Sequence, residues 1–186
     1  MRSKVRTIKE HLNIRNVGIY QGLEMAEKID ALGGLLKRIG NFDPSLFQSD
    51  FNARLILQKT VYLLEQFGLN IGYDFSWYLR GPYSPSLTRD VYALVKSYPE
   101  VQAVKFAASS EEKRFCEFLS FIRPIARDYS YLERIASIHF LFKVYPHFSS
   151  GDIFLKVKAK IPSLTIEEFQ EVKTVLEQSN LLRGRN

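Results

Sequence analysis

The sequence predicts a mainly α-helical fold with one small β element. Apolar residues recur at steps of three and four through most of the chain after residue 18, which is the spacing of amphipathic helices. In residues 75–79, "FSWYL", apolar residues instead occupy every second position, as in a strand. With 186 residues and a hydrophobic content of 46%, the chain is long enough to bury one substantial core.

The first two predicted helices span residues 18–39 and 51–67. A Gly33–Gly34 pair lies inside the first one and predicts a loosened middle, because glycine weakens helices. The "GNFDPS" stretch separates the two helices, and Gly68 provides a natural stop for the second. The second helix is apolar enough to be largely buried.

The segment "FSWYLRGPYSPSL", residues 75–87, changes from strand to helix chemistry. The alternation predicts a core-facing strand side formed by Phe75, Trp77 and Leu79. A turn is expected at Gly81–Pro82, because glycine tolerates unusual backbone angles and proline holds the preceding residue extended.

A helix is predicted from Pro85 to Ser97. Ser84 is a suitable N-cap for it, and proline fits the first helical position, where its missing N–H has no consequence. The helix has two faces. We expect an apolar stripe to pack against the core: Leu87, Val91, Leu94, Val95 and Tyr98. The opposite face is expected in solvent: Pro85, Arg89, Tyr92 and Lys96.

The second half of the chain is more strongly helical. Ser110 is predicted to cap a helix that ends near Pro124, and Ser130 and Glu133 to form the capping box of a buried helix, "LERIASIHFLFKVY". His139 in that helix is expected to be a hydrogen-bonded core residue. The stretch "GDIFLKVKAKIP" fits both periods, and we favour a helix. Thr165 and Glu168 predict a capping box for the last helix, which stops near Asn180.

Charge and composition restrict the class of partner. Lys and Arg number 26 against 20 Asp and Glu, and this net charge of +6 favours a polyanionic or acidic partner, although it is also common on proteins with no such partner. The single Cys116 excludes an intrachain disulfide and suits an apolar filler in a reducing compartment. Without a secretory signal or a membrane-spanning apolar run, we expect a cytoplasmic protein with no membrane partner.

No residue pattern indicates catalysis. His11, His139 and His147 lack the spacing of metal ligands, and no glycine-rich phosphate loop or nucleophile elbow occurs. A Cys116–His139 pair is the one nucleophilic arrangement left open. We therefore expect a protein that is not an enzyme and that needs neither cofactor nor metal.

Several stretches carry a family resemblance: "LILQKTVYLLEQFGL", "YDFSWYLRGPYSPSLTRDVYAL", "LERIASIHFLF" and "KAKIP", with "TIEEFQEVKTVLEQSNLL" after them. Over about residues 53–182 the chain resembles the YwgA-like proteins and, more distantly, the SocA-like or Panacea antitoxin-associated domain. The most specific piece joins the Gln58–Lys59 helix to the residues from Tyr78 to Ser84.

The resemblance implies a compact fold of winged-helix-like character with no catalytic centre, whose distant relatives bind other macromolecules, including toxins. It implies a winged-helix-like N-terminal part, residues 1–104, packed on a C-terminal helical part, residues 105–186, as one compact unit. Fold alone does not determine function. The sequence does not indicate an oligomeric state.

Two hypotheses for function follow, and both use one surface: Tyr78, Arg80, Tyr83, Ser84, Arg89, Tyr92 and Lys96. The first is a regulator that binds nucleic acid, DNA in preference to RNA, through its cations and aromatic rings. The second is an adaptor or antitoxin-type module that binds a partner protein, because Tyr and Arg are enriched at interface hot spots. The third possibility is that the motif has only an architectural role. The salt dependence of binding distinguishes the two binding hypotheses, since phosphate contacts weaken steeply as the salt concentration rises.

Overall fold

The structure is a computed structural model, and it describes residues 25–182. In these residues the chain is mainly helical, with a small antiparallel sheet, which confirms the predicted fold class. The elements in chain order are α1 Met25–Ile39, α2 Pro44–Ser49, α3 Phe51–Gln66, β1 Ser76–Tyr78, β2 Gly81–Tyr83, α4 Pro85–Ser97, α5 Ser109–Ile122, α6 Tyr129–Val144, α7 Ser150–Lys158 and α8 Ile166–Gln178.

Helices α3 and α6 lie at the centre and pack against each other. Both are buried on nearly all sides, as expected of helices surrounded by other elements. One apolar cluster joins side chains from all the α helices, for example Leu32, Phe47, Val61, Leu87, Phe115, Ile135, Ile153 and Phe169. The core therefore includes residues on both sides of position 104. The division into two parts at that position stays a prediction.

Strands β1 and β2 form a tight hairpin. Ser76 pairs with Tyr83 and Tyr78 with Gly81, so the chain reverses at Leu79–Arg80. The turn predicted at Gly81–Pro82 is therefore wrong, because both residues belong to β2. Leu79 was expected in the core but is 62% exposed, since the alternation of the strand ends where the turn begins.

The other two residues of the predicted strand face are partly buried. The Trp77 ring stacks on Phe140 of α6 with 5.8 Å between ring centroids. Phe75 contacts Tyr62 of α3 edge to face at 5.2 Å. The hairpin thus packs on the two central helices, as stacked and edge-to-face rings favour.

The Gly33–Gly34 pair does not loosen α1, which continues through both residues to Ile39. A Cβ on Gly33 would lie 2.8 Å from Leu94 Cδ1 of α4, and a Cβ on Gly34 would lie 2.9 Å from the Gln102 carbonyl oxygen. The glycines thus allow α4 and the chain after it to approach α1 closely. Residues 18–24 of the predicted helix lie outside the described residues.

Two predicted caps are wrong. Helix α5 begins at Ser109 with Ala108 at the N-cap position, so Ser110 is inside the helix. Helix α6 is capped by Asp128, whose carboxylate accepts a hydrogen bond from the Tyr131 amide at 2.9 Å. Glu133 is therefore free to make a different, long-range contact.

Two further helix predictions are confirmed. The ambiguous "GDIFLKVKAKIP" stretch forms α7, which begins with a capping box of Ser149 and Asp152. Thr165 and Glu168 form the predicted box of α8.

The prediction for His139 agrees with the structure, whereas the prediction for Cys116 does not. His139 is buried as predicted; its Nε2 donates to the Leu181 carbonyl at 3.2 Å, and its Nδ1 accepts from the Tyr62 hydroxyl at 2.7 Å. Cys116 was expected to fill the core, but it is exposed. The inward face of α5 is formed by Phe115 and Phe118 instead.

Helix α4 has the predicted bounds and the predicted faces. Leu87, Val91 and Leu94 are fully buried, whereas Arg89 and Lys96 are exposed on the opposite side. Ser84 is the N-cap, and its hydroxyl oxygen accepts from the Leu87 amide at 3.4 Å. The same hydroxyl lies 3.0 Å from Ser86 Oγ.

We predict that Ser84→Ala lowers the free energy of unfolding by about 1 kcal/mol, because it leaves a first-turn amide of α4 without its partner. Ser86→Ala removes the neighbouring hydroxyl and leaves the cap intact, so it serves as the matched control. Urea denaturation of the three proteins measures the difference. Equal stabilities of the two variants would contradict the assigned cap.

Candidate functional site

Gln58 of α3 binds the backbone of Ser84. Its Oε1 accepts a hydrogen bond from the Ser84 amide at 2.9 Å, and its Nε2 donates to the Ser84 carbonyl at 3.0 Å and to Thr88 Oγ1 at 2.8 Å. A buried amide side chain is tolerated when its donors and acceptor are paired in this way. Gln58 therefore occupies the place that a neighbouring strand would have, and it fixes the junction between β2 and α4.

Lys59, the next residue of α3, binds the same segment. Its Nζ donates to the Pro82 carbonyl at 2.7 Å, and the residue is only 2% exposed. Burial lowers the pKa of the Lys59 ammonium to about 7, an effect that the Glu133 carboxylate opposes and the Arg80 guanidinium reinforces. Burial therefore disfavours the charged form of Lys59.

Arg80 joins the hairpin turn to α6. Its Nε and one terminal nitrogen each donate to a different oxygen of Glu133, both at 2.5 Å. The Glu133 side chain is almost fully buried, whereas Arg80 remains partly exposed. Such a forked arrangement fixes the geometry of both groups. The carboxylate predicted to cap α6 thus holds the hairpin on that helix instead.

Gly81 allows this close approach of the hairpin to α6. Its φ angle is +82°, and a Cβ at this position would lie 2.2 Å from Ser137 Oγ. A left-handed φ is strained for residues that carry a Cβ, and the neighbouring serine leaves no room for one. Glycine is therefore required here both by backbone angle and by space.

A cavity of about 330 Å³ opens between the hairpin, α3 and α4. Its walls are largely apolar, and they include Phe51, Leu55, Tyr78, Leu79, Tyr83 and Tyr92. Three cations also line it, namely Arg54, Lys59 and Arg80, and no carboxylate does in the part of the chain that the structure describes. Cavities of this size bind small molecules or single side chains of a partner.

Part of the cavity wall is exposed to solvent. Leu79 is 62% exposed, Tyr78 57%, Phe51 53% and Tyr92 46%. The Tyr78 and Tyr83 rings lie 5.5 Å apart, and the Tyr83 hydroxyl accepts from Thr88 Oγ1 at 3.0 Å. Apolar side chains clustered in this way are typical of interaction sites, whereas single exposed ones are ordinary.

The structure divides the predicted site residues into three groups. Tyr78, Arg80, Tyr83 and Tyr92 line the cavity. Ser84 is fully buried beneath them as a cap and as the partner of Gln58. Arg89 and Lys96 lie on the exposed face of α4 and are not part of the cavity wall, and the Arg89 Nε donates to Asp90 at 3.3 Å.

Nine residues of the site were not among those predicted for it: Phe51, Arg54, Leu55, Gln58, Lys59, Leu79, Gly81, Thr88 and Glu133. A signal for Gln58 and Lys59 was present, because "LILQKTVYLL" places two polar residues inside a helix expected to be buried. Buried polar side chains require partners, and so this pair indicates a second element that contacts α3. The contact of Glu133 with a turn 53 residues away has no such local signal.

Comparisons with known proteins give no match: neither a family model, nor a curated protein, nor a solved structure matches the chain. The resemblance to the YwgA-like and SocA-like proteins, and the winged-helix-like character that it implies, stay predictions.

Two further kinds of feature are absent from residues 25–182. No helix there is both long enough and apolar enough to cross a membrane. No cluster of three or more His, Cys, Asp or Glu side chains there is arranged to hold a metal ion.

We predict that Gly81→Ala destabilises the protein more than Gly40→Ala does. Gly40 has a similar φ of +77° but nothing within 4 Å of an added Cβ, so it reports the backbone strain alone, about 1–2 kcal/mol. At position 81 the clash with Ser137 adds about 1–3 kcal/mol. Equal losses in the free energy of unfolding would contradict the close packing of Gly81 on α6.

We predict that the pH dependence of stability contains a contribution from Lys59. Because its pKa is lowered from 10.5 to about 7, the unfolded chain binds the extra proton between these values, and the free energy of unfolding rises with pH across this window. One group contributes at most about 1.4 kcal/mol per pH unit. Below about pH 7 this contribution no longer changes, since Lys59 is protonated in both states.

Lys59→Met removes this contribution, so its stability should rise less steeply than that of the wild type between about pH 7 and 10. Burial also raises the pKa of Glu65 to about 7, but that group acts below this window and is common to both proteins. Lys96→Met, at an exposed position of α4, is the control. Parallel curves for the wild type and Lys59→Met would show that Lys59 titrates normally.

Proposed function

We propose that this chain is a protein-binding module whose cavity takes an apolar side chain of an acidic partner. One observation carries the proposal: an apolar cavity of about 330 Å³ is lined by three cations and, among the described residues, by no carboxylate. The apolar walls favour a large side chain, and the charges favour carboxylates around it. This corresponds to the adaptor or antitoxin-type hypothesis.

The aromatic wall supports a protein partner. Tyr78, Tyr83 and Tyr92 stand beside Arg80, a combination enriched where a few residues supply most of the binding energy. Arg80 is positioned before binding by its two hydrogen bonds to Glu133, so little side-chain entropy remains to be lost when a partner contacts it.

The cations give less support to nucleic acid. Arg80 forms an ion pair with Glu133, and Arg54 donates hydrogen bonds to the carbonyls of Phe47 and Gln48. Lys59 is buried, and Arg89 lies beside the carboxylate of Asp90. A phosphate-binding surface uses several exposed and uncompensated cations. Binding of DNA or RNA therefore stays a prediction from the sequence, as do the lack of catalysis, the lack of a cofactor and the cytoplasmic location.

The test compares two exposed leucines. Leu79 at the cavity and Leu155 on α7 are 62% and 65% exposed, so changing either to serine should preserve the fold. A protein captured from source cells is purified and its dissociation constant is measured. We expect Leu79→Ser to weaken binding by about tenfold or more and Leu155→Ser to leave it unchanged. Equal effects of the two changes would overturn the proposal.

The nucleic-acid hypothesis predicts a different outcome of the same capture. The recovered material would be removed by nuclease, and its binding would weaken steeply with salt. Replacing Arg89 and Lys96 together by alanine would reduce that salt dependence by about two phosphate contacts. For a partner that binds in the cavity, the double replacement should have little effect, because neither residue lines it.

A further inference from the structure

We infer that the group bound in the cavity carries a carboxylate on an apolar body, and that the carboxylate binds Lys59. In a partner protein this group is a C-terminal residue with a large apolar side chain. The inference rests on the proposed function and specifies the chemistry of its anchor.

Among the described residues, the charged groups around Lys59 lack one anion. Lys59 and Arg80 are both cations when protonated, and Glu133 is the carboxylate that acts on Lys59. Arg80 already occupies both oxygens of that carboxylate. A buried cation without a close counter-ion is costly, and a carboxylate from a partner would supply the missing charge. Lys59 lines the cavity, so a group bound there lies beside this side chain.

The Lys59 ammonium also has N–H donors that its hydrogen bond to Pro82 leaves unused. An ammonium group has three N–H donors, and the hydrogen bond to the Pro82 carbonyl uses one of them. Among the described residues, the competing charges around the cavity come from three elements. The hairpin supplies Arg80, α6 supplies Glu133, and α3 supplies Arg54, whereas α4 lines the cavity with the uncharged Thr88 and Tyr92.

Peptide geometry favours a C-terminal residue over an internal acid. In an extended peptide, successive side chains point to opposite sides, so an Asp or Glu next to an apolar anchor would point away from the cavity. A C-terminal carboxylate leaves the same Cα as its side chain, and both groups then enter together. Capture of C-terminal carboxylates is a known mode of peptide recognition.

Binding of a carboxylate beside Lys59 is coupled to the uptake of a proton. A carboxylate near Lys59 favours the ammonium form and raises its pKa, so the complex takes up a proton where free Lys59 is neutral, above about pH 7. Below that value Lys59 is already protonated and affinity does not change with pH. Affinity should then fall as pH rises from about 7 towards the higher pKa of the complex.

The experiment uses two synthetic peptides of sequence acetyl-Gly-Ser-Gly-Phe, one with a free C-terminal carboxylate and one with a C-terminal amide. We expect the acid to bind about tenfold more tightly than the amide near pH 6, and this advantage to shrink as pH rises above about 7. Calorimetry near pH 8, in two buffers with different heats of ionisation, should show proton uptake for the acid and none for the amide.

Lys59→Gln tests the role of the lysine itself, because glutamine keeps a donor for the Pro82 carbonyl and removes the charge. It should bind the two peptides equally and without proton uptake. Lys96→Gln, at an exposed position outside the cavity, should behave like the wild type. If Lys59→Gln does not fold, the comparison of the two peptides on the wild type still decides the question.

Other outcomes would each overturn a specific part of this inference. Equal binding of acid and amide at all pH values would overturn the carboxylate inference and leave the apolar cavity of the proposed function in place. Equally tight binding of the internal-acid peptide acetyl-Gly-Asp-Phe-Gly-amide would overturn the C-terminal assignment. If no peptide binds, the inference fails, whereas the proposed function is judged separately by Leu79→Ser and the purified partner.

Discussion

The contact of two adjacent α3 side chains with the backbone of the hairpin is the interaction on which the site depends. Gln58 pairs with Ser84 and Lys59 with Pro82, so a helix replaces the strand that would otherwise neighbour β2. The carbonyls and amide of this segment are buried and require such partners. These hydrogen bonds hold the segment on α3, and the turn at Leu79 and Arg80 forms part of the cavity wall.

The same residues connect stability with function. Lys59 stabilises β2 through one hydrogen bond, but its burial disfavours the charge that a partner would need. The Arg80–Glu133 pair fastens the turn to α6 and also gives the cavity a cationic edge. Exposed apolar side chains at the cavity contribute little to folding, and their clustering at one place supports the proposed binding of a partner.

Patterns in the sequence predict the structural features that neighbouring residues determine. They do not predict contacts between residues that are far apart in the chain. Periodicity and a capping serine determine α4, and its bounds and both faces agree with the structure. The local chemistry of the Gly-Pro pair predicts a turn, yet pairing with Tyr78 places Gly81 in β2. Glu133 was assigned to a local cap, although its partner lies across the fold.

The central claim is that the cavity beside Leu79 receives a segment of another protein. Photo-cross-linking tests it directly, with benzoylphenylalanine in place of Leu79 and, in a second protein, in place of the equally exposed Leu155. Position 79 should yield a cross-link to one apolar segment of a single partner protein, and position 155 should not. Cross-links to nucleic acid, or identical products from both positions, would contradict the claim.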